Sequence, residues 1–464
     1  MNRFEEPGAD AGSRAVSRRR LLQIGVSVPL ASWLLEACSS SSSQPSGSAP
    51  NGPENFKGVT LQVVTRDGGG MDNTAPGIKA AIDSWSKRTG GNVQFTLLGF
   101  TDVPIKYAGY VASQDSSVDI LYAADPFVGQ FQDKLYLDLT HQVGNTSVFL
   151  PGTIQALTRD GHLYALPIHS EMEFFIYNKQ YFQEAGLNPD NPPNTWEELF
   201  AAAPKLKKGN RTANATPLLA PNEVIFYFAI FMNSTPTKLI SPDGRKLQVG
   251  GSDGLSVFQT WYDGVVTHKF FDSSVLTDPG SEYDTGKIFN QGNTASMLNF
   301  SELYEDATNP GAPGGAQVPS TVADQVGATI MPGIKAGTSG SCNGFEGFGV
   351  SRFTTHQAAA VSFVREMTSR EPEKIMNLTK QFPSSRKDVL SDPEVLAIYP
   401  VAKILEKQGQ YNIDRYGEPY FTQLEQVFSQ TMTGLWKGTS SPAQAQEQVM
   451  TQGQAAIDKF YSGS

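Results

Sequence analysis

Apolar and polar positions along the chain switch repeatedly between the two-residue period of a strand and the 3.6-residue period of a helix. Val59 to Thr65 is a β-branched run with alternation, closed by Arg66-Asp67-Gly68-Gly69-Gly70. Pro76 to Thr89 has helical spacing, with Ile78, Ile82 and Trp85 on one stripe, and stops at Gly90-Gly91. Asn92 to Leu98 is the next strand, Ile105 to Ser113 a helix, and Val118 to Tyr122 a short buried strand. This order predicts an α/β sheet of parallel strands faced by helices. Ligands of such sheets sit beyond the carboxyl ends of the strands, which puts Arg66, Asp67, Ala124 and Asp125 on one rim.

Further along, Gly161 to Pro167 and Glu173 to Asn178 read as paired strands. Thr195 is placed to cap a helix, with Glu198 completing a capping box. Gly254 to His268 and Thr355 to Ser369 read as amphipathic helices, Gln325 to Met331 and Gly347 to Val350 as strands, and the C-terminal stretch as mostly helical. Trp85 and Trp196 fall on core-facing stripes.

The 464 residues are 39% hydrophobic and 18% charged, enough apolar material for more than one core. A net charge of −10 without a Lys/Arg stripe excludes a phosphate-neutralising nucleic-acid surface. Two cysteines, Cys38 and Cys342, cannot make a disulfide framework or a cysteine zinc cage, and the five histidines include no His-Glu-x-x-His helix.

The first forty residues carry an address. Arg18-Arg19-Arg20 precedes an apolar stretch, Leu21 to Leu35, that is shorter than the roughly 20 residues a membrane-spanning helix needs. The arginine pair matches a twin-Arg export signal. Leu35-Glu36-Ala37-Cys38 then resembles a bacterial lipobox, which implies acylation of Cys38; a plain secretory signal is the alternative. The Ser/Pro-rich run over 38–56 reads as a tether. The expectation is an extracytoplasmic protein held to the cell membrane by lipid alone, with Cys342 buried as a small apolar residue.

Several ordered patterns then resemble the extracellular solute-binding proteins of ABC importers, in the group that includes maltose-binding protein. They are Asp119-Ile-Leu followed by Gln130 to Thr140; Gly161 to Pro167; and Tyr177-Asn178-Lys179 with Phe182, Ala185-Gly186-Leu187, Pro193 and Thr195 to Leu199. A last one runs from Phe289-Asn-Gln-Gly292 to Ala295 and Met297. The resemblance implies a two-lobed periplasmic-binding-protein fold with a central ligand cleft and several hinge crossovers. Lobe one would hold 57–166 and 332–383, and lobe two 170–328 and 384–464. The crossovers would lie near Pro167–Ser170, Met331–Gly333 and Phe382–Ser385.

Carried onto this chain, the family's ligand contacts fall at Arg66, Asp67, Tyr122, Asp125, His169, Glu171, Glu223, Asn299, Phe300, Glu302, Phe345 and Glu346, with Ser170, Tyr227, Tyr304 and Asn343 beside them. Tyr122, Tyr227, Tyr304 and His169 have packing or hydrogen-bonding roles as alternatives. Six carboxylates against one arginine and one histidine disfavour a phosphate dianion and suit a sugar hydroxyl or a cationic amine. A mono- or disaccharide is the first choice, delivered by a monomeric receptor to a membrane permease. No cofactor or metal is expected, and no catalysis.

Two enzyme signals compete. Gly250-Gly251-Ser252-Asp253-Gly254 matches a hydrolase nucleophile elbow, although Ser252 or Asp253 as a helix N-cap accounts for it. A carboxylate pair can cleave a glycosidic bond, so a secreted glycosidase is the rival from another class.

Overall fold

The computed structural model describes residues 54–67, 71–220, 223–276, 282–308, 319–380, 382–399, 401–411, 413 and 415–463, all within one unit, Gly47–Ser464. The arginine pair, Cys38 and the tether up to residue 53 lie outside them, as do Gly68–Gly70 and Asn222. Among the described residues no helix is long and apolar enough to cross a membrane.

Two sheets organise the chain. The first contains β1 (Thr60–Arg66), β2 (Asn92–Leu98) and β3 (Ile120–Ala124). These β-branched runs pair in parallel, as their alternation with helices requires. The helices Pro76–Thr89 and Val103–Ser113 make the crossovers. A small hairpin follows, β4 (Thr158–Arg159) and β5 (His162–Leu163), turning through positive φ at Asp160 and Gly161. Next come β6 (Ala165–His169) and β7 (Glu173–Asn178), which do not pair with each other. β7 lies between β8 (Ser296–Phe300) and β9 (Val326–Thr329) in a separate three-stranded sheet. β10 (Glu346–Val350) returns antiparallel between β3 and β6, giving the first sheet the order β2-β1-β3-β10-β6. An antiparallel strand in a mostly parallel sheet means the chain leaves that sheet and comes back to it. Local periodicity carries no trace of that excursion.

Each sheet has its own core. Trp85, Tyr107, Tyr122 and Phe348 fill the first; Trp196, the fully buried helix Val224–Met232, Trp261 and Phe428 fill the second. A third cluster, with Phe174, Phe345 and Tyr399, occupies the other face of β7. Cys342, Trp85 and Trp196 are buried, as their patterns require.

The chain passes between the sheets as neighbouring segments that run antiparallel and hydrogen-bond to one another. Ser170 donates its amide to Pro383 O at 2.7 Å and its hydroxyl to Ser384 O at 2.9 Å. On the other side, Gly344 N donates to Glu171 O at 2.8 Å and Glu173 N to Cys342 O at 3.2 Å.

Three local details differ from the sequence expectation. Thr195 accepts from Glu198 N at 3.3 Å, but the Glu198 carboxylate reaches back to Asn194 N, one residue short of a closed capping box. The helix Ser252–Tyr262 starts from Gly251 without a side-chain cap. Asp253 instead accepts from the Thr237 hydroxyl at 2.7 Å. That helix ends in a π turn at Asp263–Thr267 rather than running to His268.

Glycines provide a direct test of this packing. A methyl group on Gly347, in β10, would stand 2.0 Å from Leu166 O in the hydrogen-bonded neighbour strand, whereas one on exposed Gly109 would meet nothing within 4 Å. Gly347→Ala is therefore expected to cost about 3 kcal/mol, the upper end of ordinary overpacking. Gly109→Ala, inside the helix Val103–Ser113, should add roughly 0.5–1 kcal/mol. Urea denaturation of both variants checks the pair; equal effects would contradict the strand register.

Candidate functional site

The carboxyl ends of β1 and β3 meet the start of β10 and the end of β6, and four side chains converge there. Glu346 opens β10. Its Oε2 accepts from Arg66 Nε at 3.1 Å and Nη2 at 2.8 Å, and lies 3.0 Å from His169 Nε2. Its Oε1 accepts from the Tyr122 hydroxyl. An ionised carboxylate can only accept, so His169 presents Nε2–H to it. Glu346 is 5% exposed and His169 1%. Burial alone would raise the Glu346 carboxyl, but the Arg66 charge and the bonds from His169 and Arg66 outweigh it and hold the group far below 4.5. Burial and the Glu346 charge push the Tyr122 hydroxyl well above 10, with Arg66 opposing. Four predicted site residues thus bind first to one another.

Asp125 is the next neighbour on the rim. It begins the helix Asp125–Leu135, and its Oδ1 pairs with Arg159 Nη2. Arg159, at the end of β4, also donates Nη1 to the carbonyls of Ala156 and Thr158 at 2.8 Å each. Asp125 thus neutralises a largely buried guanidinium. The sequence signal was the Arg159-Asp160-Gly161 turn, which folds the short hairpin so that Arg159 reaches back. Asp67 is exposed, and its amide donates to Leu98 O at 2.7 Å.

The second sheet supplies a different wall. Asn299 and Phe300 end β8, and Glu302 sits in the first turn of Ser301–Thr308. The Phe300 ring lies 5.5 Å from that of Phe226, and the Arg415 guanidinium lies 5.0 Å over Phe226. Among the described residues no ion pair or hydrogen bond engages the Arg415 guanidinium. Its charge also acts on Tyr122 of the first sheet. Glu223 is half-buried at the start of Val224–Met232, and Tyr227, one turn on, is fully buried.

Glu171, on the β6–β7 passage, is 4% exposed, beside Gly344 and the Phe300 ring. Together with Glu302 and Glu305 it bears on Tyr399, whose hydroxyl is raised well above 10 by burial first and by these three charges after it. Burial pushes Glu305 up to about 8, with Asp306 adding. Phe345 is 2% exposed and packs in the third core near Gly152 and Ile413.

The two walls touch near Gly129 and Gly417. A Cβ on Gly129 would fall 1.4 Å from Gly417 O, and one on Gly417 would fall 2.4 Å from Asp125 O. The segment carrying Arg415, Tyr416 and Gly417 thus lies against the helix that carries Asp125. Arg159, Phe226 and Arg415 escaped the sequence reading. Phe226 sits in an unbroken apolar run that reads as core, and Arg415 in a stretch read as helix despite Gly417 and Pro419. Two surface depressions, one lined by Thr146, Phe149, Gln155 and Lys387 and one by Arg245, Met450 and Tyr461, include neither Asp125 nor Arg415 in their linings.

Residues 80–398 match the family model described as bacterial extracellular solute-binding protein. Over 72 residues, 15% of this chain and 16% of the relative, the sequence is 44% identical to the sn-glycerol-3-phosphate-binding periplasmic protein UgpB of Rhizobium meliloti. Over 333 residues, 69% of the chain and 76% of the relative, it is 22% identical to a probable ABC transporter-binding protein of Deinococcus radiodurans. Among solved structures, maltose-bound MalE3 of T. maritima superposes with a TM-score of 0.73 at 18% identity, covering 87% of this chain and all of that one. A ribitol-bound solute-binding protein of Agrobacterium radiobacter K84 gives a TM-score of 0.72 at 18% identity, with the same coverage of both chains. The fold is the two-lobed fold of these proteins.

Acid sensitivity follows from the Glu346 node. Its folded-state affinity for a proton is lowered, so its contribution to stability is complete above the usual carboxylate value of 4.5 and is lost as pH falls below it. Glu346→Gln strips Arg66 of its counter-charge. We expect a loss of about 3 kcal/mol at pH 7, near the low end for breaking a buried pair. The stability–pH curve should also become flatter below pH 4.5. Calorimetry across pH 3–8 checks both; an unchanged acid limb would refute the node's role.

Proposed function

We propose a function from one premise: the chain belongs to the bacterial extracellular solute-binding proteins. It acts as the binding receptor of an ABC importer, captures a small polyhydroxy solute between its two lobes, and hands it to a membrane permease. The solute class is a mono- or disaccharide or a sugar alcohol. In this proposal Cys38 carries the lipid anchor, the receptor is monomeric, and the passages at 167–173, 331–345 and 382–386 form the hinge.

The observation that carries this reading is the convergence of two walls of different chemistry. One is polar and preassembled around Glu346; the other is aromatic, Phe226 and Phe300, with Arg415 over it. Aromatic faces and fixed polar groups are what a sugar ring needs. The glycosidase alternative loses ground because the matching family is one of solute-binding proteins, and because Glu346 and Asp125 are both engaged by arginines.

A second reading has a specific observation in its favour. With Glu346 and Asp125 each matched by an arginine, the gap is less acidic than the sequence count suggested, and Arg415 is available to a phosphate. A glycerol phosphate is therefore the competing solute, in keeping with the partial likeness to a glycerol-phosphate-binding relative.

Thermal-shift and calorimetric titration with maltose, D-tagatose, D-mannitol, ribitol and sn-glycerol 3-phosphate separates the two. A sugar or polyol is expected to raise the melting temperature and be recovered intact. Phe300→Ala should then weaken binding at least tenfold, about 1.4 kcal/mol, and Arg415→Ala no more than severalfold. Under the competing reading, glycerol phosphate binds and Arg415→Ala weakens it at least a hundredfold. Release of a cleaved product would overturn both.

A further inference from the structure

The wall that carries Glu223 and Phe226 is the start of the helix Val224–Met232, and its anchoring is unusual. The helix is nine residues long, apolar throughout and fully buried. The first N–H groups of any helix lack intrahelical acceptors, and buried ones need a partner. Glu223 at the N-cap gives the first turn no side-chain bond. The acceptor comes instead from about two hundred residues further along the chain. Glu425, on the helix Phe421–Trp436, places Oε1 2.9 Å from Val224 N and Oε2 2.9 Å from Ile225 N. It is 4% exposed.

We propose that Glu425 is a positioning residue for the binding wall: its two-oxygen grip on the helix start fixes where Glu223 and Phe226 stand, and protonating that carboxyl loosens the grip. A carboxylate can accept from both amides at once, whereas the neutral acid keeps only its carbonyl oxygen as a good acceptor and leaves one amide poorly served. The positive end of the helix favours the charged form. Burial opposes it and pushes the carboxyl up to about 7, with the two amide bonds pulling the other way. Charged residues on the elements packed against its helix are Glu223 at the helix start, Asp253 on Ser252–Tyr262, and Glu447, Asp458 and Lys459 on Pro442–Ser462, with Arg415 over the Phe226 ring. Among the described residues none of them forms an ion pair with Glu425. The geometry therefore makes the grip depend on the proton at Glu425 rather than on a neighbouring cation. The same helix Phe421–Trp436 follows directly on the segment that holds Arg415, so one carboxyl ties both sides of the aromatic wall.

The consequence for ligand capture rests on the receptor reading, but the test does not need a ligand. In the full chain, amide proton and nitrogen shifts of Val224 and Ile225 are followed from pH 5 to 9. The expected result is a downfield movement of both amides as pH rises, with a common midpoint between 6 and 8, and its disappearance in Glu425→Gln. Hydrogen exchange supplies a second measurement: Glu425→Ala should speed exchange at these two amides at least tenfold, with the helix Pro76–Thr89 in the other core unaffected. Amides that stay flat from pH 5 to 9 in the native protein, or that titrate unchanged in Glu425→Gln, would overturn the proposal. Either result stands whether or not any sugar binds.

Discussion

A carboxylate buried without water is tolerable only when its charge is answered, and the arrangement of the first sheet around Glu346 follows from that constraint. Arg66 comes from β1, Tyr122 from β3, His169 from β6, and Glu346 itself from β10. The four strands are thereby tied at the end where the chain leaves for the second sheet. β10 can sit antiparallel between β3 and β6 because its first residue brings the charge that the other three strands are built to receive. The rim of the first sheet is thus set before any ligand arrives.

This also changes the charge balance of the gap. Counted along the sequence, carboxylates greatly outnumber cations among the candidate contacts. Counted in space, Glu346 and Asp125 are already matched by Arg66 and Arg159, and burial pushes Glu305 toward its neutral form. Two of the six carboxylates counted along the sequence are thereby answered by arginines, and the negative field of the rim is correspondingly weaker.

Much of the fold was legible in the chain, and the reasons differ from element to element. Pro76–Thr89 and Asn92–Leu98 fall where periodicity and the Gly90-Gly91 stop place them, since local sterics alone decide such boundaries. The partner of β6 was not legible. Gly161 to Pro167 and Glu173 to Asn178 are neighbours in sequence and both read as strands, yet a short passage sends them into different sheets. The site was half legible for a similar reason. Arg66, Tyr122, His169 and Glu346 lie at strand ends, where the fold resemblance could point to them one by one. That they bond to one another depends on pairings across 280 residues. Phe226 and Arg415 had no local mark, because an aromatic in an apolar run and an arginine before a helix are ordinary until tertiary packing stacks them.

The passages between the sheets repeat the logic of the Glu346 node with the opposite outcome. Glu373 is also fully buried and accepts from Ser385 Oγ at 2.9 and 3.0 Å and from Ser384, but no arginine or lysine is bonded to it among the described residues. Burial pushes its carboxyl well above 4.5 even though both serines and the Arg386 charge oppose the shift. Burial thus favours the proton on this side chain, while the serine hydroxyls and the Arg386 charge favour its release. Ser385 also reaches Pro167 O at 3.1 Å, and Ser384 pairs with His169 through the backbone. A charged Glu373 on this side of His169 would compete with Glu346 for the positive partners of the rim. The passages are pinned by hydrogen bonds, whereas the Glu346 charge is held on the first sheet by Arg66 and His169.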